Sequence, residues 1–140
     1  DDTVISDALI LRENSSEIMN VLGEHIAEIA LRPERYAAAM AVSREEGAAN
    51  LELLDDYISS EPGLTWIRPE AGLIGLARLQ KPIDGDSLAT RLLEPPYRTF
   101  LLPGSVYGLP RHIRVGVGGG PGVNLNDGLR RLSACLANID

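Results

Sequence analysis

The chain has 140 residues, the length of one ordinary domain. A net charge of −7 and a pI near 4.8 argue against nucleic-acid binding, which needs a basic face to neutralise phosphates. An aromatic content of 4% leaves little for base stacking. No run approaches the roughly 18 apolar residues of a membrane span, and Asp1-Asp2-Thr3 is acidic where a signal peptide would be basic. The single cysteine, Cys135, makes no internal disulfide, which fits a reducing compartment and predicts a cytoplasmic protein.

In chain order, the first apolar run is Ala8-Leu9-Ile10-Leu11, read as a short strand or as a loop packed on a neighbour. Ser15-Ser16-Glu17 offers a helix cap with an acid in the first turn, and Ile18, Val21, Leu22, Ile26 and Ile29 then recur at helical spacing. Pro33 predicts the start of a long second helix, because its missing N–H costs nothing at the first position. That helix runs to about residue 59, with Leu51, Leu54 and Ile58 on one face and a bend expected at Gly47. Glu45, Glu46, Asp55 and Asp56 read as its solvated face.

Residues 64–68 and 73–79 are strand-like, separated by Pro69 and Gly72. Asp84-Gly85-Asp86 is a turn, with Asp86 expected to cap a helix over 87–94 that Pro95-Pro96 stops. Residues 98–102 and 112–117 form the next strands, and Gly118 to Gly122 a turn. Asn124 or Asn126 caps a last helix over 124–139, with Leu125, Leu129, Leu132 and Leu136 as its buried stripe. The fold class is therefore α+β. N-terminal helices, including a long linker helix, precede a small, mostly antiparallel sheet covered by helices.

Function is carried by Leu102-Pro103-Gly104-Ser105-Val106-Tyr107-Gly108 and the strand His112-Ile113-Arg114-Val115-Gly116. A lone arginine among apolar strand residues needs a partner, because burying a guanidinium unpaired is costly. Its donor fork matches a carboxylate bidentately. Either Arg114 faces a cleft and binds a carboxylate ligand, or it makes a structural ion pair with an Asp or Glu. Tyr107 either lines the pocket or forms an amphipathic wall. Gly104 and Gly108 read as positions that permit a positive φ.

Together with Trp66-Ile67-Arg68-Pro69-Glu70-Ala71-Gly72 upstream, these motifs resemble, in order and spacing, the C-terminal part of class I/II aminotransferases. Those are pyridoxal-phosphate (PLP) enzymes of fold type I, and the resemblance covers roughly residues 15–139. It implies that residues 1–32 are a remnant of, or connection to, a large PLP-binding domain, and that 33–140 are the small domain. It implies that Arg114 binds the carboxylate of an amino-acid or 2-oxo-acid substrate, with Ser105 and Tyr107 on the adjoining wall. It also implies a homodimer. Transamination is the family's commonest reaction, and the same fold hosts elimination, cyclisation and oxidation.

The only lysine, Lys81 in Leu79-Gln80-Lys81-Pro82-Ile83, lies too close to Arg114 and lacks the family's Ser-x-x-Lys pattern. No catalytic, cofactor-binding or metal-binding residue is therefore assigned in this chain. PLP is expected in the complete protein only, and this chain alone is expected to be inactive.

Other signatures are weak. Gly116 to Gly122 lacks the spacing of a dinucleotide or phosphate loop. His25, His112 and Cys135 lack metal-ligand spacing, and Gly104-Ser105 lacks the nucleophile-elbow frame. Two other readings stay open: a free-standing, non-catalytic binding or assembly module with the small-domain fold, and an unrelated ferredoxin-like domain that binds an amino acid.

Overall fold

The computed structural model describes residues 1–15, 20–118 and 124–139. The chain divides into two compact units, Asp1–Ala41 and Val42–Asp140.

The first unit holds α1 (Asp2–Ser15), α2 (Val21–Ala30) and the start of α3 (Pro33–Ser60). The run Ala8 to Leu11 lies inside α1 and is neither strand nor loop. Four consecutive apolar residues suit either element, so the flanks decide. Residues 2–15 contain no Gly or Pro, and the Asp1 carboxylate accepts the Thr3 N–H at 3.1 Å, starting the helix. Ile18 and most of the cap expected at Ser15-Ser16-Glu17 lie outside the described residues; Ser15 itself closes α1. The cap of α2 is Asn20, whose side chain accepts from the Leu22 and Gly23 amides.

Pro33 takes the first position of α3 as expected, and the helix continues unbroken through Gly47. Gly47 is buried instead, with a Cβ at that site falling in ordinary contact with Leu73. Asp55 also leaves the expected solvated face: its carboxylate accepts the Trp66 indole N–H at 3.0 Å.

In the second unit, β1 (Leu64–Trp66), β2 (Ile74–Leu79), β3 (Leu102–Pro103) and β4 (His112–Gly116) form a four-stranded sheet in the order β1-β2-β4-β3. Every pairing is antiparallel. Helices α4 (Gly85–Leu93) and α5 (Leu125–Ala137) cover it together with the C-terminal half of α3. Period-2 alternation sends Leu64, Ala77, Leu79, Ile113 and Val115 to one side. There they meet Leu54 and Ile58 of α3, Leu88 and Leu92 of α4, and Leu132, Cys135 and Leu136 of α5. Burial pushes the Cys135 thiol up, so it stays protonated and behaves as a small hydrophobe.

Two local readings are corrected. The residue capping α4 is Asp84, not Asp86; its side chain accepts the Ser87 N–H at 2.8 Å. The strand expected over 98–102 shrinks to Leu102–Pro103, because Arg98 adopts φ +45° and the Thr99 N–H bonds the Leu92 carbonyl at 2.7 Å. That stretch wraps the end of α4 instead of extending the sheet. The turn from Gly118 to Gly122 lies, beyond Gly118, outside the described residues; the α5 cap is Asn124.

Candidate functional site

β4 places Arg114 between Ile113 and Val115, both buried, so its side chain leaves the sheet on the face opposite the core. The register sets Arg114 directly across from Leu76 on one side and Leu102 on the other. The same face carries a second row, one step along the strands: Thr65 opposite Arg78, and Arg78 opposite His112.

The loop before β4 supplies the next contact. Pro103 leads into a single 3₁₀ turn, Gly104–Tyr107, which ends on Gly108 at φ +73°. Gly108 is thus a left-handed position, as its glycine suggests. Gly104 is a glycine for another reason: a Cβ there would lie 2.5 Å from the Leu109 carbonyl oxygen and 2.7 Å from that of His112. Gly85, at the start of α4, is fitted equally tightly, 2.5 Å from the same His112 oxygen. The loop, the start of α4 and the start of β4 therefore lock together at backbone level.

This locking aims the turn. Tyr107, half exposed, accepts a hydrogen bond through its hydroxyl from the Arg114 guanidinium at 3.0 Å. Ser105 points elsewhere: its hydroxyl donates to the Asp86 carboxylate at 2.9 Å, tying the loop to α4. Among the described residues no acid lies within ion-pairing distance of Arg114 or Arg78. By contrast, Arg68 pairs with Glu52 and Asp55, and Arg130 and Arg131 pair with Asp127.

An open cleft of about 620 Å³ runs over the outer face, and Arg114 itself is not part of its wall. Its walls include Thr65, Ile74, Leu76, Arg78, Leu109 and His112. The Nδ1 atom of His112 is buried and has no hydrogen-bond partner among the described residues. The row Thr65, Arg78 and His112 was not singled out from sequence. The signal was present in the alternation of Gly75, Ala77 and Leu79 with Leu76 and Arg78, but the pairing that unites the row is long-range.

Lys81 sits in the turn after β2, and its ammonium donates to the Ile139 carbonyl at 2.8 Å, securing the chain beyond α5. Arg111 holds the same turn through the carbonyls of Leu79 and Lys81. The one primary amine side chain is thus engaged away from the Arg114 face, and the described residues do not fit a PLP aldehyde site. Among the described residues no group of three His, Cys, Asp or Glu side chains is placed to hold a metal, and no helix is long and apolar enough to cross a membrane.

No family model and no curated protein sequence matches the chain. Solved structures do. A PLP-dependent aminotransferase from Streptococcus suis superposes with a TM-score of 0.82 at 24% identity, over 92% of this chain and 33% of its own. A PLP-dependent cyclase, OrfR, gives 0.83 at 25% identity, over 96% and 36%. An aspartate aminotransferase from Thermus thermophilus, a tetra mutant, gives 0.80 at 24% identity, over 95% and 36%. The chain spans about a third of the length of these enzymes. Its α+β arrangement of five helices and a four-stranded antiparallel sheet is the fold of the small-domain segment of PLP-dependent, fold type I aminotransferases.

Proposed function

We propose that this chain is the substrate-carboxylate-binding segment of a PLP-dependent aminotransferase-like enzyme that acts on an α-amino acid and its 2-oxo acid. The observation that carries this reading is the state of Arg114. Its guanidinium stands on the open face of the sheet, is steadied by the Tyr107 hydroxyl and has no acidic partner among the described residues. The structural arginines of this unit spend their donors on the protein, Arg68 and Arg131 on acids and Arg111 on the carbonyls of Leu79 and Lys81. A guanidinium fixed by a neutral hydroxyl keeps its remaining donors for a carboxylate.

In this reading Tyr107 forms one wall of the site. Ser105 contributes by fixing the loop to α4, and by offering its backbone to the wall. The PLP aldehyde is held by a lysine in a large domain of the same protein, to which residues 1–32 connect, and PLP supplies the electron sink for chemistry at the α-carbon. The enzyme works as a cytoplasmic homodimer. The chain's own share is orientation: fixing the carboxylate sets the α-carbon at the reacting position.

The test is kcat/KM of the complete enzyme toward an α-amino acid. Arg114→Ala should lower it by about 2–5 kcal/mol in transition-state free energy, the cost of truncating a desolvated charge pair. Arg114→Lys should not restore it, since an ammonium cannot reproduce the fork. Near wild-type kcat/KM in both variants, with the fold intact, would make Arg114 structural.

A further inference from the structure

The helix-covered side of the sheet carries a hollow that carboxylate binding does not use. It lies between the start of α5, residues 99–101 and the end of β4, measures about 190 Å³ and opens to solvent. Its floor is the top of the core: Leu54, Leu132, Leu129 and Val115 are 0%, 3%, 7% and 8% exposed. Among the described residues no charged side chain lines it.

Three features of the wall point to an occupant. Its polar side chains, Thr99 and Asn124, are both engaged within the protein. The Thr99 hydroxyl donates to the Tyr97 carbonyl at 2.9 Å, and the Asn124 side-chain oxygen accepts the Asp127 N–H at 3.0 Å. A charge moved into the hollow would therefore lose water without gaining a partner. Gly128 also lines it, in the first half of α5. Glycine inside a helix is destabilising relative to alanine, and neither backbone nor packing requires it at this position. Its φ is not positive, and a Cβ built there meets no atom within 4 Å among the described residues. The missing side chain leaves the wall open. Phe100, the chain's one phenylalanine, stands at the same hollow 77% exposed. Its ring gains apolar contact when something fills the space beside it.

Size and chemistry define the class of ligand. An apolar cavity of about 150 Å³ stays dry and accepts benzene. A hollow of about 190 Å³ has room for one ring with a short substituent. We propose that this hollow binds a small uncharged molecule carrying one aromatic ring, and that Phe100 closes over it. The ring rests on Leu54, Leu129 and Leu132, with Phe100 packed edge to face against it. Val115 faces the hollow while Arg114 leaves β4 on the opposite side, so the site is independent of the carboxylate reading.

The experiment is a titration of the full 140-residue chain with toluene, followed through leucine and valine methyl resonances, with the unfolding temperature as a second readout. Toluene should saturate at one equivalent, shift the methyls of Leu54, Val115, Leu129 and Leu132 before others, and raise the unfolding temperature. Benzylammonium, the same ring with a charge, should bind at these methyls at least about ten-fold more weakly. Gly128→Leu should abolish toluene binding without lowering the unfolding temperature of the free chain, because its side chain enters empty space and a helical glycine is removed. Phe100→Ala should weaken toluene about three- to ten-fold. Ile67→Ser, which removes an apolar side chain 92% exposed elsewhere, should leave the affinity unchanged. If Gly128→Leu fails to fold, Gly128→Ala carries the test, with a smaller loss of toluene affinity expected.

Toluene shifts that spread over exposed apolar positions without saturating would overturn the site. So would undiminished binding in the folded Gly128 variant. Benzylammonium binding the same methyls as tightly as toluene would overturn the class of ligand. A free chain that dimerises in sedimentation through Phe100, separates on Phe100→Ala and takes up no toluene would give the hollow to a second copy and overturn the proposal.

Discussion

β4 shows Ile113 and Val115 to one side of the sheet and His112 and Arg114 to the other. On the first side every neighbour is an apolar group from α3, α4 or α5, and the strand is sealed. On the second side the neighbours are Leu76, Arg78 and Leu102, and among the described residues no helix contributes to the cleft wall. One strand of five residues therefore serves packing and recognition at once. The difference teaches that the two roles are separable by mutation: changes on the packed face should act on stability, and changes on the open face on ligand binding.

The largest expected effect is on the packed side. Leu136 is fully buried in α5, against the sheet and α3. Leu136→Ala removes its transfer free energy and leaves a cavity, at a cost of about 2–5 kcal/mol. Denaturant unfolding should show that loss, while the folded fraction keeps its carboxylate affinity. A variant that unfolds no more easily than wild type would show that the core is not where this stability resides.

A smaller effect should breach the separation. Gly104 belongs to the loop that aims Tyr107 at Arg114, yet its backbone is pressed against the carbonyls of Leu109 and His112. Gly104→Ala forces backbone to move and should destabilise by about 1–3 kcal/mol, as overpacking does. Because the loop carries the tyrosine, carboxylate affinity should fall as well. Equal stability and affinity to wild type would mean that the loop relaxes freely and does not position the guanidinium.

The sealed side of the sheet was the more legible in sequence. Alternation in Ile113-Arg114-Val115 and the spacing of Leu125, Leu129, Leu132 and Leu136 report local geometry directly, so β4 and α5 follow from period alone. The ends of elements did not follow. Asp84 and Asp86 are both competent caps, and the choice falls to Asp84 because Gly85 must pass within touching distance of the His112 carbonyl. The expected strand at 98–102 fails because residues 97–99 hydrogen-bond back to Glu94 and Leu92. The approach of Gly85 to His112 is long-range and lies in no window of sequence, whereas the bonds of residues 97–99 are a local turn that hydrophobic alternation does not report.

On the open side, Arg114 and Tyr107 were legible because seven residues separate them in one motif. Arg78 was not, because its place beside His112 is created by pairing β2 with β4 across a connection that contains α4 and β3. Ser105 was singled out with the loop, but its hydroxyl serves the link to Asp86.

The smallest expected effect concerns pH and again divides the two faces. The Asp84 carboxylate accepts the Ser87 backbone N–H, and this holds its pKa below the ordinary 3.8. A group whose folded pKa is depressed stabilises the fold fully above its unfolded pKa, and the contribution is lost as pH falls through the folded value. The window therefore opens just below pH 4 and extends downward from 3.8. Asp127 behaves in the same sense, lowered by its hydrogen bond with Arg130. Asp84→Asn keeps a competent helix cap, since Asn ranks beside Asp at that position, but removes the titration. The acid limb of an unfolding profile should become shallower in this variant without becoming flat, because Asp127 still titrates. Asp84 bonds the Ser87 amide and not Arg114 or Tyr107, so between pH 5 and 8 carboxylate affinity should be unaffected by Asp84→Asn. An unchanged acid limb would show that the α4 cap adds nothing charge-dependent. A shift in carboxylate affinity near neutral pH would show that the start of α4, through Asp86 and Ser105, reaches the binding face after all.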